Sequence, residues 1–282
     1  MLRDKILDLT ADSYGQSFER YAERLAAMPK ERGVADALYP TIATRLDWQA
    51  YRAAARPIFE RAVRATPFPA EDPRIRALRE RAADWRGFAD ALCQFYMTAD
   101  AKFCLIEPWL NEKLPVFAFL NLQEPKGLSI LDLGCGAGHF SLLAEAAGHR
   151  IAGVDIENAL IADLARRFGI ERRIQPVHPR FFQEDRAGER FDLITSLLLN
   201  FNRRDGRLWD AADWEVFLAG ATEALAPGGR ICFLLNTQSG WEGLRAADGS
   251  LQNFLGARGF RIFPYYGAYP GRRLCLYRAP AG

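Results

Sequence analysis

Leu131-Asp132-Leu133-Gly134-Cys135-Gly136-Ala137-Gly138-His139-Phe140 is the stretch on which the fold turns. It begins within LSILDLG (128–134), a short apolar run of the kind a buried parallel strand shows. HFSLLAEAAG (139–148) follows, with helical periodicity ending at Gly148. In an open α/β sheet a strand-to-helix loop of this kind lies at the carboxyl ends of the strands, where ligands bind at the topological switch point. Glycines there tolerate positive φ and carry no Cβ, so a ligand can touch backbone. The spacing is G-x-G-x-G. A dinucleotide fingerprint needs a small third residue where this chain has the bulky His139. There is no Gly-Lys-Ser/Thr either, which excludes a triphosphate-binding loop.

Strand and helix signals alternate downstream of the loop. RIAGVDI (150–156) reads as a second strand and NALIADLARRFG (158–169) as a helix. RRIQPVH (172–178) is the third strand and FDLITSLLL (191–199) the fourth. DWEVFLAGATEAL (213–225) is amphipathic, takes Asp210 or Asp213 as its N-cap, and stops at Pro227-Gly228-Gly229. RICFLLN (230–236) is a fifth strand and SLQNFLGARG (250–259) a helix. FRIFPYYG (260–267) and RRLCLYR (272–278) are too close for a helical crossover, so they are expected to pair antiparallel. The alternation predicts a mostly parallel sheet with right-handed crossovers.

Upstream, the first 125 residues read as helix. Phe18, Tyr21, Ala22 and Leu25 share one face, as do Tyr51, Ala55, Ile58, Phe59 and Ala62. TPFPAEDP (66–73) carries three prolines and breaks the pattern. A third helix places Ile75, Leu78, Ala82, Trp85 and Leu92 on one side, and a fourth runs from about Lys102 to Leu122. The expected organisation is a helical segment over 1–66, helices over 67–126 that pack on the catalytic domain, and that domain over 127–282.

The composition narrows the function. The chain has 282 residues, 49% of them apolar, and a net charge of +2. No basic excess or stripe marks a nucleic-acid partner. No run approaches the roughly 18 apolar residues of a membrane span, and the N-terminus lacks the apolar core of a secretory signal. Five scattered cysteines without C-x-x-C spacing suit reduced thiols in a cytoplasmic protein. With three histidines and no ligand cluster, no metal is expected.

ILDLGCGAGHFS (130–141) resembles motif I of the class I S-adenosylmethionine-dependent methyltransferases. VDI (154–156) is similar to the family's acidic ribose-binding position, FDLITSLL to its fourth-strand motif, and LAPGGRICF to its helix–PGG–strand passage. The resemblance covers residues 127–278 and implies a Rossmann-like, seven-stranded, mostly parallel sheet with a C-terminal antiparallel pair, following an all-helical segment. It implies S-adenosyl-L-methionine as cofactor. Gly134, Gly136 and Gly138 then let backbone approach the methionine part, and Asp132 orients the loop or meets its ammonium group. Asp155 accepts hydrogen bonds from both ribose hydroxyls, a geometry a carboxylate provides. Cys135, His139, Phe140, Ile156 and Ser196 are assigned to the same cofactor site. Where many members carry a Gly-Asp pair that reads adenine, this chain has Val177-His178-Pro179-Arg180, and His178 is placed on the adenine side.

Methyl transfer from a sulfonium needs alignment and, for a hydroxyl acceptor, a base. His139 has a suitable unperturbed pKa, and Asn202, with Asn200, can position an acceptor. The chain lacks the [DNS]-P-P-[FY] tetrapeptide of many N-methyltransferases of nucleic-acid bases. Asp205, Asp210 and Asp213 could serve a metal-dependent O-methyltransferase, although a charged loop leading to an N-cap accounts for them better. Phe201, Trp209, Trp214, Tyr265, Tyr266 and Tyr269 could line an acceptor pocket. The N-terminal helices are expected to cover the cleft, with Tyr14, Phe18 or Tyr21 reaching in, or to mediate a homodimer. The leading expectation is transfer to oxygen or nitrogen of a small-molecule metabolite. The alternatives are a macromolecular (protein or RNA) methyltransferase, with Arg203, Arg204 and Arg207 forming a basic groove, or a non-catalytic cofactor-binding subunit.

Overall fold

The computed structural model describes residues 29–46, 106–124, 126–203, 207–235, 240–241, 244–245, 249–265 and 272–281. The helices expected over 18–25, 51–62 and 75–92, the linker 66–73, Tyr14, Arg204, Asp205, Tyr266 and Tyr269 lie outside them. The chain divides into two units, Met1–Leu114 with Asn158–Phe168, and Pro115–Glu157 with Gly169–Gly282.

In the first unit, helix α1 (Pro29–Arg45) buries Val34, Leu38 and Ile42, spaced four apart on one face. The Tyr39 hydroxyl donates to the Asn111 side chain, which lies in helix α2 (Ile106–Leu120). Helix α2 carries Pro115 within it. Helix α4 (Ala159–Arg167) starts at Asn158, whose side chain accepts from Ile161 N at 3.0 Å as an N-cap. Among the described residues, no helix is long and apolar enough to cross a membrane.

The second unit is built on seven strands: β1 (Ser129–Leu133), β2 (Arg150–Asp155), β3 (Arg172–Ile174), β4 (Phe191–Leu197), β5 (Leu225–Leu234), β6 (Arg261–Pro264) and β7 (Arg273–Arg278). Their order across the sheet is 3-2-1-4-5-7-6. The first five are parallel, and β7 runs antiparallel to both β5 and β6. This is the Rossmann-like sheet with an antiparallel C-terminal pair that the alternating pattern implied. The chain leaves β1 for β2 and β3 on one side, then returns to β4 on the other, so the switch point falls at the carboxyl end of β1. Helix α3 (His139–Ala146) follows β1 and buries every residue from His139 to Ala144.

Two boundaries differ from the sequence reading. The third strand ends at Ile174, not His178: Gln175 N still bonds Asp155 O (2.8 Å), and the pairing goes no further. A short helix α5 (Phe181–Glu184) follows instead. The PGG segment is not a loop after a helix. Helix α6 (Ala211–Glu223) stops earlier, and β5 begins at Leu225 opposite Phe191. Gly228 N donates to Pro280 O (3.0 Å) and Ala279 N to Gly229 O (2.8 Å), which draws the three extra residues into the sheet as an irregularity.

Aromatic side chains hold one face of this sheet. Phe217 on α6 lies 5.0 Å from Trp209, 5.3 Å from Phe182 and 5.7 Å from Phe201, ring centre to ring centre. Trp209 and Trp214 are fully buried, and neither indole N–H has a hydrogen-bond partner. Their rings meet edge to face at 5.4 Å, an arrangement in which ring faces partly compensate such donors. The aromatic cluster proposed as an acceptor-pocket lining is, for Phe201, Trp209 and Trp214, part of the hydrophobic core.

Helix α6 opens on Asp210, which accepts from Asp213 N (3.0 Å) while Asp213 accepts from Asp210 N (3.3 Å), a reciprocal capping box. Arg203 ties both carboxylates, its Nε to Asp213 (2.7 Å) and its Nη2 to Asp210 (2.9 Å). Asp210→Ala should therefore cost about 1–2 kcal/mol, most of it from the cap because the ion pair is half exposed. Thermal unfolding should register this as a fall of roughly 2–8 °C.

Candidate active site

The loop after β1 folds back onto the end of β2. Gly134 N and Cys135 N both donate to Val154 O, at 2.9 and 3.1 Å. Gly136 N donates to Asp155 Oδ2 at 2.6 Å, and Ile156 N to Asp155 Oδ1 at 2.7 Å. Gly134 and Gly138 have φ of 71° and 86°, and a Cβ on them would come within 2.8 Å of Leu199 and 2.7 Å of Ile170. Backbone conformation and packing thus both demand glycine at these two positions.

Asp132 is 2% exposed, and its Oδ1 accepts from Thr195 Oγ1 at 2.8 Å. The two residues are register partners on β1 and β4. A buried carboxylate held this way keeps its orientation behind the loop. Ser196, the next residue on β4, is opposite Leu133 and has a buried hydroxyl with no hydrogen-bond partner. Phe140 packs edge to face on Phe117 at 5.3 Å, beneath the loop.

Cys135 is buried, and its side chain occupies the space that a Cβ on Gly153 would fill. Burial pushes its thiol well above the ordinary range, and the nearby Asp132 and Asp155 carboxylates push it further. Burial also raises Cys232, to about 12, and raises Cys275. Thiols react as thiolates. Native protein treated with iodoacetamide near pH 8 should therefore carry no label at these three positions, whereas unfolded protein should; peptide mapping reads this out.

The structure brings Asp132, Gly134, Cys135, Gly136, Gly138, Asp155 and Ile156 into one loop assembly, with Ser196 at the adjoining strand end. His139 opens α3 and is buried. His178 lies past β3, half-buried, with Nε2 2.6 Å from Asp185 Oδ2. Asn202 is exposed and forms a bridge with Leu208, and Asn200 is exposed beside it, so both stand on the loop after β4. Asp210 and Asp213 serve the helix cap and Arg203.

Three residues of this assembly escaped the sequence reading. Thr195 holds Asp132, and its only signal was a polar residue inside the apolar run FDLITSLL. Gly153 makes room for Cys135; a mid-strand glycine is the mark of a close approach. Arg172 donates to Gly136 O (3.4 Å) and to Ile156 O, and no local pattern announces it.

The donor set suits a nucleoside cofactor. Each Asp155 oxygen accepts one backbone N–H, which leaves lone pairs on both for a pair of ribose hydroxyls. Ile156 beside it is 59% exposed, an apolar surface next to the Asp155 side chain. The fold is a Rossmann-like α/β domain with its glycine loop at the switch point of the sheet. Residues 131–231 match the family described as "Methyltransferase domain". That match runs from β1 into β5 and takes in the glycine loop, Asp155 and Ser196.

Similar solved structures include the amino pentose methyltransferase CalS10 of Micromonospora echinaspora, 20% identical, covering 60% of this chain and 91% of that one, with a TM-score of 0.42. The N-methyltransferase NodS of Bradyrhizobium japonicum WM9 is 17% identical, covering 62% and 98%, with a TM-score of 0.42. The ribosomal protein L11 methylase of Lactobacillus delbrueckii subsp. bulgaricus is 17% identical, covering 60% and 78%, with a TM-score of 0.41. No curated protein matches the sequence.

Proposed function

We propose that the enzyme methylates oxygen or nitrogen of a small-molecule metabolite. The observation that carries this reading is the pairing of Arg203 with Asp210 and Asp213. A polyanionic acceptor would call for free arginines on the loop after β4, and Arg203 is committed to two carboxylates there. The overall charge of +2 points the same way.

When bound, S-adenosyl-L-methionine supplies an activated methyl group, so the protein's work is alignment. Asp155 would take the ribose hydroxyls and Ile156 would cover the adjoining ring. Gly134 to Gly138 would offer backbone to the methionine part, with Asp132 fixed behind them by Thr195. Ser196 would give its free hydroxyl to the same pocket. Asn202, exposed on the loop after β4, would orient the acceptor by hydrogen bonds from its amide. His139, opening α3, would take the acceptor's proton where the acceptor is a hydroxyl.

The test is transfer of a radioactive methyl group from S-adenosylmethionine into cell extract, separated by molecular size. Label confined to the small-molecule fraction supports the proposal. Label in protein or RNA, or no transfer by a protein that binds the cofactor, overturns it.

A further inference from the structure

We propose that Arg172 is a positioning residue for the cofactor: its guanidinium clamps the glycine loop to the end of β2 and so holds Asp155 where it meets the ribose. The proposal rests on the methyltransferase reading of the site.

Arg172 is the first residue of β3 and stands in register with Gly153 of β2. From there its side chain reaches the strand end. Nη1 donates to Gly136 O at 3.4 Å, and Nη2 donates to Ile156 O. These acceptors belong to the two residues whose amides hold the carboxylate, Gly136 N on Asp155 Oδ2 and Ile156 N on Oδ1. The four groups close a ring. The carboxylate binds both amides, the guanidinium binds both carbonyls, and the glycine loop is fastened to β2 on either side of Asp155.

The chemistry of the residue suits this task. A planar fork can serve two acceptors at once, whereas a lysine offers one point of charge. Among the described residues Arg172 joins no salt bridge; its guanidinium donates to these two carbonyls. Its charge is also felt at the Cys135 thiol in the centre of the loop. An arginine that only decorated a sheet edge would have no reason to straddle the glycine loop and the residue after the ribose acid. Because it touches backbone, its influence on the cofactor must run through Asp155 and the loop.

The experiment compares wild type, Arg172→Met, Arg172→Lys, Asp155→Asn and the double variant Asp155→Asn/Arg172→Met by isothermal titration with S-adenosylhomocysteine. Arg172→Met should bind roughly tenfold more weakly, the scale of losing one charge-assisted hydrogen bond. Arg172→Lys should recover part of this, since it restores charge and one donor. In the Asp155→Asn background the further loss from Arg172→Met should shrink to about twofold or less, the non-additivity expected of groups acting through one another. Hydrogen exchange without cofactor should quicken at the Gly136 amide in Arg172→Met while the melting temperature stays within about 2 °C of wild type.

Unchanged affinity in Arg172→Met, or full additivity with Asp155→Asn, would overturn the role of Arg172 and leave the cofactor reading intact. Wild type that fails to bind S-adenosylhomocysteine would overturn both. A melting temperature that falls in step with affinity would reduce Arg172 to a structural tie and refute the proposal.

Discussion

Asp155→Ala should weaken binding of S-adenosylhomocysteine by about 100-fold or more, the largest functional loss expected from any single substitution here. The carboxylate would accept two hydroxyls, and hydrogen bonds to a charged group contribute about 1.5–3 kcal/mol each. Losing two therefore exceeds the roughly 2.8 kcal/mol that corresponds to a hundredfold change. Alanine also strands the Gly136 and Ile156 amides that the carboxylate now receives, so the loop loses its anchor as well. Asp155→Asn separates the two effects. Its carbonyl oxygen can keep one amide, but its NH2 group faces the other donor, so affinity should fall between wild type and alanine. Isothermal titration measures all three proteins. Equal affinity in Asp155→Ala would remove Asp155 from the ribose site.

The reach of the sequence is visible in these residues. Asp155 stood out through the resemblance of VDI (154–156) to an acidic ribose-binding position, not through any local pattern. The parallel sheet and its antiparallel C-terminal pair followed from alternation and the short connection before β7, since both are local patterns. Thr195 and Arg172 were not legible. Their roles arise where β4 and β3 align beside β1 and β2, and register across strands distant in sequence leaves no local trace. The third strand was overextended because RRIQPVH has strand composition and only Pro176 signals the end of pairing. The aromatics after β4 misled in a different way. Phe201, Trp209 and Trp214 could have lined a pocket, yet α6 turns them into core by capping at Asp210 and laying Phe217 against them. Among the described residues, the exposed side chains on that loop are polar: Asn200, Asn202 and Arg207.

Phe217→Ala should be the most destabilising of the substitutions considered, and the reason lies in that same packing. Phe217 is fully buried and touches rings contributed by α5, the loop after β4 and β5: Phe182, Phe201, Trp209 and Phe233. Truncating such a side chain removes its transfer energy and leaves a cavity that four stiff rings collapse into poorly, at a cost of about 3–5 kcal/mol. For a domain of this size the melting temperature should fall by roughly 6–20 °C. Phe217→Leu keeps most of the volume and should cost about 1.5 kcal/mol or less. The milder variant tests function. The β4–α6 loop is held by Trp209 N on Phe201 O (3.0 Å) and by the packing of both rings on Phe217, whereas the cofactor loop is fastened to β2 by backbone bonds and Asp155. Phe217→Leu should therefore bind S-adenosylhomocysteine as wild type does while transferring methyl groups more slowly, because Asn200 and Asn202 sit on the loosened side. A variant that loses cofactor affinity and turnover together would show that the two loops are not mechanically separate.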